Sequence, residues 1–152
     1  MTARAADDAF DLQRFVEAQN PVYDQVLREL RAGSKASHWM WFVFPQVAGL
    51  GYSAMTQRYA ISGRAEAEAY LRHAVLGPRL RECTALATGV EGRTAHEIFG
   101  SPDDLKFRSS MTLFAAVADD AAVFQAALDK YYNGAADSET LKRLPREGRE
   151  GT

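Results

Sequence analysis

Apolar residues recur along most of the chain at the three-to-four-residue spacing that lines one face of a helix. Leu12, Phe15 and Val16 form the first set, Asn20-Pro21 breaks it, and Tyr23, Val26, Leu27 and Leu30 form a second that Gly33 stops. Ala54 to Ile61 reads as a short helix ended by Ser62-Gly63. Ala67, Tyr70 and Leu71 share a face of the next helix, with His73 at its end, where a partly charged imidazole would suit the helix macrodipole. Gly77-Pro78 then opens a helix carrying Leu80, Cys83, Leu86 and Val90, which Gly89 and Gly92 end. Thr94-Ala-His-Glu97 has the spacing of a capping box, in which hydroxyl and carboxylate each accept from an otherwise unpaired backbone N–H. Ser101-Pro-Asp-Asp104 predicts a helix start with Ser101 as cap, Pro102 at the first position and two acids facing the positive end of the macrodipole. That helix buries Phe107, Met111, Phe114 and Ala115. A last amphipathic stretch runs through Val123-Phe124, Ala127-Leu128 and Tyr131-Tyr132 to Asn133-Gly134, and Asp137 caps one more turn to Leu144.

One segment departs from this pattern. Ser37-His-Trp-Met-Trp-Phe-Val-Phe-Pro45 alternates aromatic positions as a strand would, but no partner strand is evident elsewhere, so irregular buried chain is expected, followed by a turn at Gly49-Leu50-Gly51. The pattern as a whole predicts a mainly α fold. It is a single compact helical domain over residues 8–144, with about six to eight helices around an irregular aromatic central segment. The termini, 1–7 and 145–152, are expected to be flexible.

Composition agrees with a helical chain: 26 alanines stand against 11 valines and isoleucines together, so residues that lose little entropy in helices outnumber the β-branched ones that line strands. The net charge of -2 argues against nucleic acid as a partner. One cysteine, Cys83, excludes an internal disulfide, and neither a signal-peptide run nor a membrane-length apolar stretch is present, which points to a cytoplasmic protein. The charge distribution is less even than its sum. Between Glu29 and Glu66 there is no acidic residue, while the same window holds Arg31, Lys35, Arg58, Arg64 and six of the sixteen aromatics.

Several patterns could carry chemistry. Gly49-Leu-Gly-Tyr-Ser-Ala54 has the letters of a dinucleotide fingerprint, but Pro45 interrupts the strand that should precede it, and a tight turn accounts for both glycines. His38, His73 and His96 lack metal-ligand spacing, so no metal site and no cofactor is predicted. Asp103, Asp104, Lys106, Arg108, Ser109 and Ser110 crowd polar groups onto the first turns of one helix. A carboxylate there could activate water while a cation stabilises developing negative charge, although helix capping alone would account for both aspartates. The aromatic window is either core or the wall of a pocket in which a planar anion stacks on a ring and meets basic groups.

The stretches Phe10-Asp-Leu-Gln-Arg-Phe-Val-Glu-Ala-Gln19, Glu29-Leu-Arg-Ala-Gly through His38-Trp-Met-Trp-Phe-Val-Phe-Pro-Gln46 to Gly51, Tyr70-Leu-Arg-His73 with Leu76-Gly-Pro-Arg-Leu80, and Ile98-Phe-Gly through Asp103 to Phe114 resemble the bacterial family known as domain of unknown function 1810. The resemblance covers roughly 8–144 and implies a mainly helical protein without an activity to carry over. A shorter likeness, in Ser53 to Ile61, Met111 to Phe114 and Phe124 to Tyr131 with Thr140-Leu141, is similar to NADAR proteins, which implies ADP-ribose or related riboside chemistry. In the resulting expectation, the chain binds a nucleotide or ADP-ribosyl-like anionic ligand and could hydrolyse it. Asp104, Asp103 and Lys106 would be catalytic, and His38, Trp39, Trp41, Gln46, Arg58, Tyr59, Arg108 and Ser109 would bind the ligand. A non-enzymatic interaction module or homodimer using the aromatic window is the alternative expectation.

Overall fold

The structure, a computed structural model, describes residues 8–144. The termini expected to be flexible lie outside the described residues. Among the described residues ten helices follow one another: α1 (Gln13–Gln19), α2 (Tyr23–Ala32), α3 (Met40–Val43), α4 (Ala54–Arg58), α5 (Arg64–Arg72), α6 (Leu76–Thr88), α7 (Ala95–Phe99), α8 (Asp103–Val117), α9 (Ala122–Tyr132) and α10 (Ser138–Lys142). This exceeds the expected six to eight because the count includes four helices of only four or five residues. Of these, α4, α7 and α10 lie where a short helix or cap was expected, and α3 arises in the aromatic segment, where four residues are too few for a periodic pattern to register.

The fold is organised around α8, which packs against α5, α7, α9 and α10. Every residue from Ser109 to Phe114 is buried, so this helix is enclosed on nearly all sides and lacks the polar face of a surface helix. Its serines serve that enclosure. Ser109 Oγ reaches the Leu105 carbonyl and the Asp137 carboxylate, whereas Ser110 is buried with no hydrogen-bond partner for its hydroxyl. Around α8, α6 packs on α2, α5 and α9, and α1 packs on α3.

Helix ends show where local signals prevailed. The capping box forms at Thr94, with the Glu97 N–H donating to the Thr94 hydroxyl at 3.1 Å and the Thr94 N–H to the Glu97 carboxylate at 2.8 Å. Gly33 ends α2 and Asn133 ends α9, both in the left-handed conformation, and Asp137 caps α10. His73 corrects an expectation. It lies at the end of α5, but its Nδ1 accepts the backbone N–H groups of Val75 and Leu76 at 3.1 and 3.2 Å, so the ring serves the start of α6 and not the end of α5. The start of α8 also differs from its predicted form. Pro102 occupies the cap position without a side-chain cap, and the amides of Asp104, Leu105 and Lys106 donate to the carbonyls of Gly100 and Pro102. Backbone carbonyls therefore replace the expected Ser101 hydroxyl.

The aromatic segment is more ordered than its sequence suggests. It contains the single turn α3, and Val47 beyond it forms an isolated parallel bridge with Ile61. Trp39, Phe44, Phe99 and Phe107 pack as a ring cluster with centroid separations of 4.6–6.1 Å, joining this segment to α7 and α8.

Candidate functional site

Glu29 sets the geometry of the loop that follows α2. Its buried carboxylate accepts the Ala36 and Ser37 backbone N–H groups, the Ser37 hydroxyl, the Trp39 indole N–H and the Gln25 amide at 2.6–3.1 Å. Burial alone would raise its pKa, but these donors outweigh it and hold the carboxyl down at about 2. The loop is tied at its other side by the Lys35 N–H donating to the Ile98 carbonyl at 2.8 Å. Lys35 and His38 are thereby set opposite the start of α8.

Between the two lies a cleft of about 300 Å³ lined by Lys35, His38, Met40, Trp41, Ser101, Pro102, Asp103 and Lys106. The Lys35 ammonium is 2.9 Å from one oxygen of Asp103, and the Lys106 ammonium is 3.8 Å from the other. Lys106 also lies over the Trp41 ring at 5.5 Å from its centroid, and Lys35 over that of Trp39 at 5.1 Å. Lys35 is the more enclosed cation, with its side chain 7% exposed against 25% for Lys106. Two ammonium groups thus face one carboxylate beside the positive end of a fifteen-residue helix, an excess of positive charge against an aromatic wall.

Of the residues singled out in the sequence, His38, Trp41, Asp103 and Lys106 meet at this cleft. The others do not line it. Trp39 is buried behind it with its indole committed to Glu29. Asp104 points to His96, its Oδ2 3.3 Å from Nδ1. The Arg58 Nε donates to the Tyr59 hydroxyl, and the Tyr59 ring packs on Phe15 and Phe42 in the core. Gln46 contributes its carbonyl to the Ile61 N–H. Arg108 and Ser109 fasten α8 to the segment before α10 through the carbonyls of Ala135 and Ala136 and the carboxylate of Asp137.

Lys35 is the site residue that sequence reasoning passed over, although a signal for it existed. The chain uses arginine fourteen times and lysine four times, and two of the four lysines line this one cleft. A lysine supplies a compact point charge where arginine would present a broad planar fork. Cys83 offers no alternative centre: burial pushes its thiol up to about 12, so it stays protonated and unreactive.

Among the described residues, no helix is long and apolar enough to cross a membrane. A search of curated proteins finds none that matches. Among solved structures, the chain is similar to the conserved hypothetical protein Rv1873 from Mycobacterium tuberculosis, with 59% identity, a TM-score of 0.89, and coverage of 90% of this chain and 98% of that one. Residues 9–144 match the family described as protein of unknown function DUF1810, and the chain belongs to that family.

Proposed function

We propose that the cleft binds a small anionic ligand of the nucleotide or ADP-ribosyl class. The observation that carries this reading is the convergence of Lys35, Lys106 and Asp103 with the Trp41 ring around one cleft, from segments more than sixty residues apart. In it, the two ammonium groups meet the anion, Trp41 supplies a stacking wall, and exposed His38 stands at the rim. About 300 Å³ lies at the small end of ligand pockets, so the cleft suits a mononucleotide or one portion of a longer compound.

The arrangement supports binding over hydrolysis. Asp103 is engaged by two cations, and Asp104 is turned to His96, so neither carboxylate stands free to activate water. A thermal-shift panel of AMP, ADP-ribose and NAD fragments tests the reading. A ligand at a hundred times its dissociation constant stabilises by about 2.7 kcal/mol, which raises the midpoint by roughly 5–10 °C for a domain of this size. Lys106→Ala should remove most of that rise while leaving the unliganded midpoint within a few degrees. No rise for any compound at millimolar concentration would refute the proposal.

A further inference from the structure

Asp103 occupies an unusual position for a residue in the first turn of a helix. The Asp104, Leu105 and Lys106 amides of α8 are met by the carbonyls of Gly100 and Pro102, and the Leu105 amide is met also by the Asp104 carboxylate, so the Asp103 carboxylate caps none of them. Its carboxylate instead bridges Lys35 and Lys106. The enclosed Lys35 ammonium requires an anion beside it, because an unpaired charge removed from water is strongly unfavourable. Asp103 supplies that anion from the same cleft where an external one would sit.

We propose that Asp103 is a resident counter-anion that an incoming ligand displaces, and that this exchange makes the cleft selective for phosphate monoesters. The proposal rests on the binding reading above and specifies which anions succeed. A carboxylate or phosphodiester would replace one negative charge by another and gain little. A phosphate monoester carries nearly two negative charges at neutral pH and three acceptor oxygens, enough to satisfy both ammonium groups once the Asp103 side chain turns outward. Trp41 then favours monoesters that also carry a planar base over inorganic phosphate.

Calorimetric titration of the full chain with AMP, 3′,5′-cyclic AMP and inorganic phosphate at pH 8 provides the test, with Asp103→Asn beside the unaltered protein. The unaltered chain should bind AMP at least tenfold more tightly than the cyclic diester, which has the same base and one charge fewer. Asp103→Asn should bind AMP at least tenfold more tightly still, because the lysines are released, and should melt lower than the unaltered chain until AMP is added. Equal affinity for AMP and cyclic AMP in the unaltered chain overturns the proposal and needs no variant. Asp103→Asn binding AMP no better, or worse, overturns it too, while the binding reading stands. Absence of binding by both proteins overturns both. Tighter binding of AMP than of inorganic phosphate is expected from the base on Trp41; equal tightness overturns the Trp41 preference and the nucleotide reading, while the exchange at Asp103 stands.

Discussion

Glu29 and Glu66 bound the acid-free window in sequence, and both are buried anchors of its ends. Glu29 gathers the loop from Ala36 to Trp39, while Glu66 accepts the Ser62 N–H at 2.8 Å and pairs with Arg14 at 3.0 Å. Arg14 in turn donates to the carbonyls of Arg58 and Ala60, so the far end of the window is held by one guanidinium. Most of the aromatic segment between these anchors is core, where acids are rare, and the enclosed cation of the window, Lys35, is met by Asp103 from outside it. The consequence for pH follows from Glu29. Its carboxyl is held at about 2 against an ordinary value of 4.5, so its contribution to stability is complete above about 4.5 and lost as pH falls toward 2. We predict that Glu29→Gln lowers stability by about 3 kcal/mol at pH 7, since the amide N–H confronts donors, and that this deficit shrinks between pH 4.5 and 2. Denaturant unfolding of both proteins across that range checks it. A deficit that stays constant with pH would contradict the assignment.

At the level of elements, the long helices were legible from periodicity, and so were ends marked by a glycine, an asparagine or a capping box, because those signals are local. Among the short turns, α4, α7 and α10 were legible from their Ser62-Gly63 stop and their Thr94 and Asp137 caps, whereas α3 was not, since four residues define no period and tertiary packing decides it. Ser101-Pro-Asp-Asp104 shows a different limit. Its letters fit a cap, but Gly100 and Pro102 carbonyls take that role, and Asp103 is left to face lysines that sequence spacing cannot place beside it. The junction of α5 and α6 has a firmer requirement. Gly77, within α6, lies against the end of α5, where an added Cβ would come within 2.2 Å of the Leu71 carbonyl oxygen. Gly77→Ala should therefore destabilise by roughly 1–3 kcal/mol despite the better helix propensity of alanine. Gly63, whose added Cβ would meet nothing within 4 Å, should tolerate alanine to within about 0.5 kcal/mol. Thermal unfolding of the two variants provides the comparison, and equal effects would show that the α5–α6 contact is looser than described.

For the whole molecule, the central helix α8 joins the core to the cleft. Its middle is enclosed core, its Arg108 and Ser109 secure the last helical segment, and its first turn presents Asp103 and Lys106 to the Glu29-organised loop. Part of this cleft was visible in sequence, because Asp103, Lys106, Trp41 and His38, which line it, carry recognisable chemistry. Its selection was not: Trp39 and Trp41 are two residues apart, yet one is core and the other lines the cleft, a choice made by the buried Glu29 carboxylate that captures the Trp39 indole. The same difference gives the most direct test of the binding reading, a two-dimensional amide and indole NMR spectrum recorded through an AMP titration. Binding at the cleft predicts shifts confined to residues around Lys35 to Trp41 and Ser101 to Lys106, with the Trp41 indole N–H moving more than that of Trp39. No shifts at saturating AMP, or shifts centred on Gln46, Arg58 and Tyr59, would contradict it.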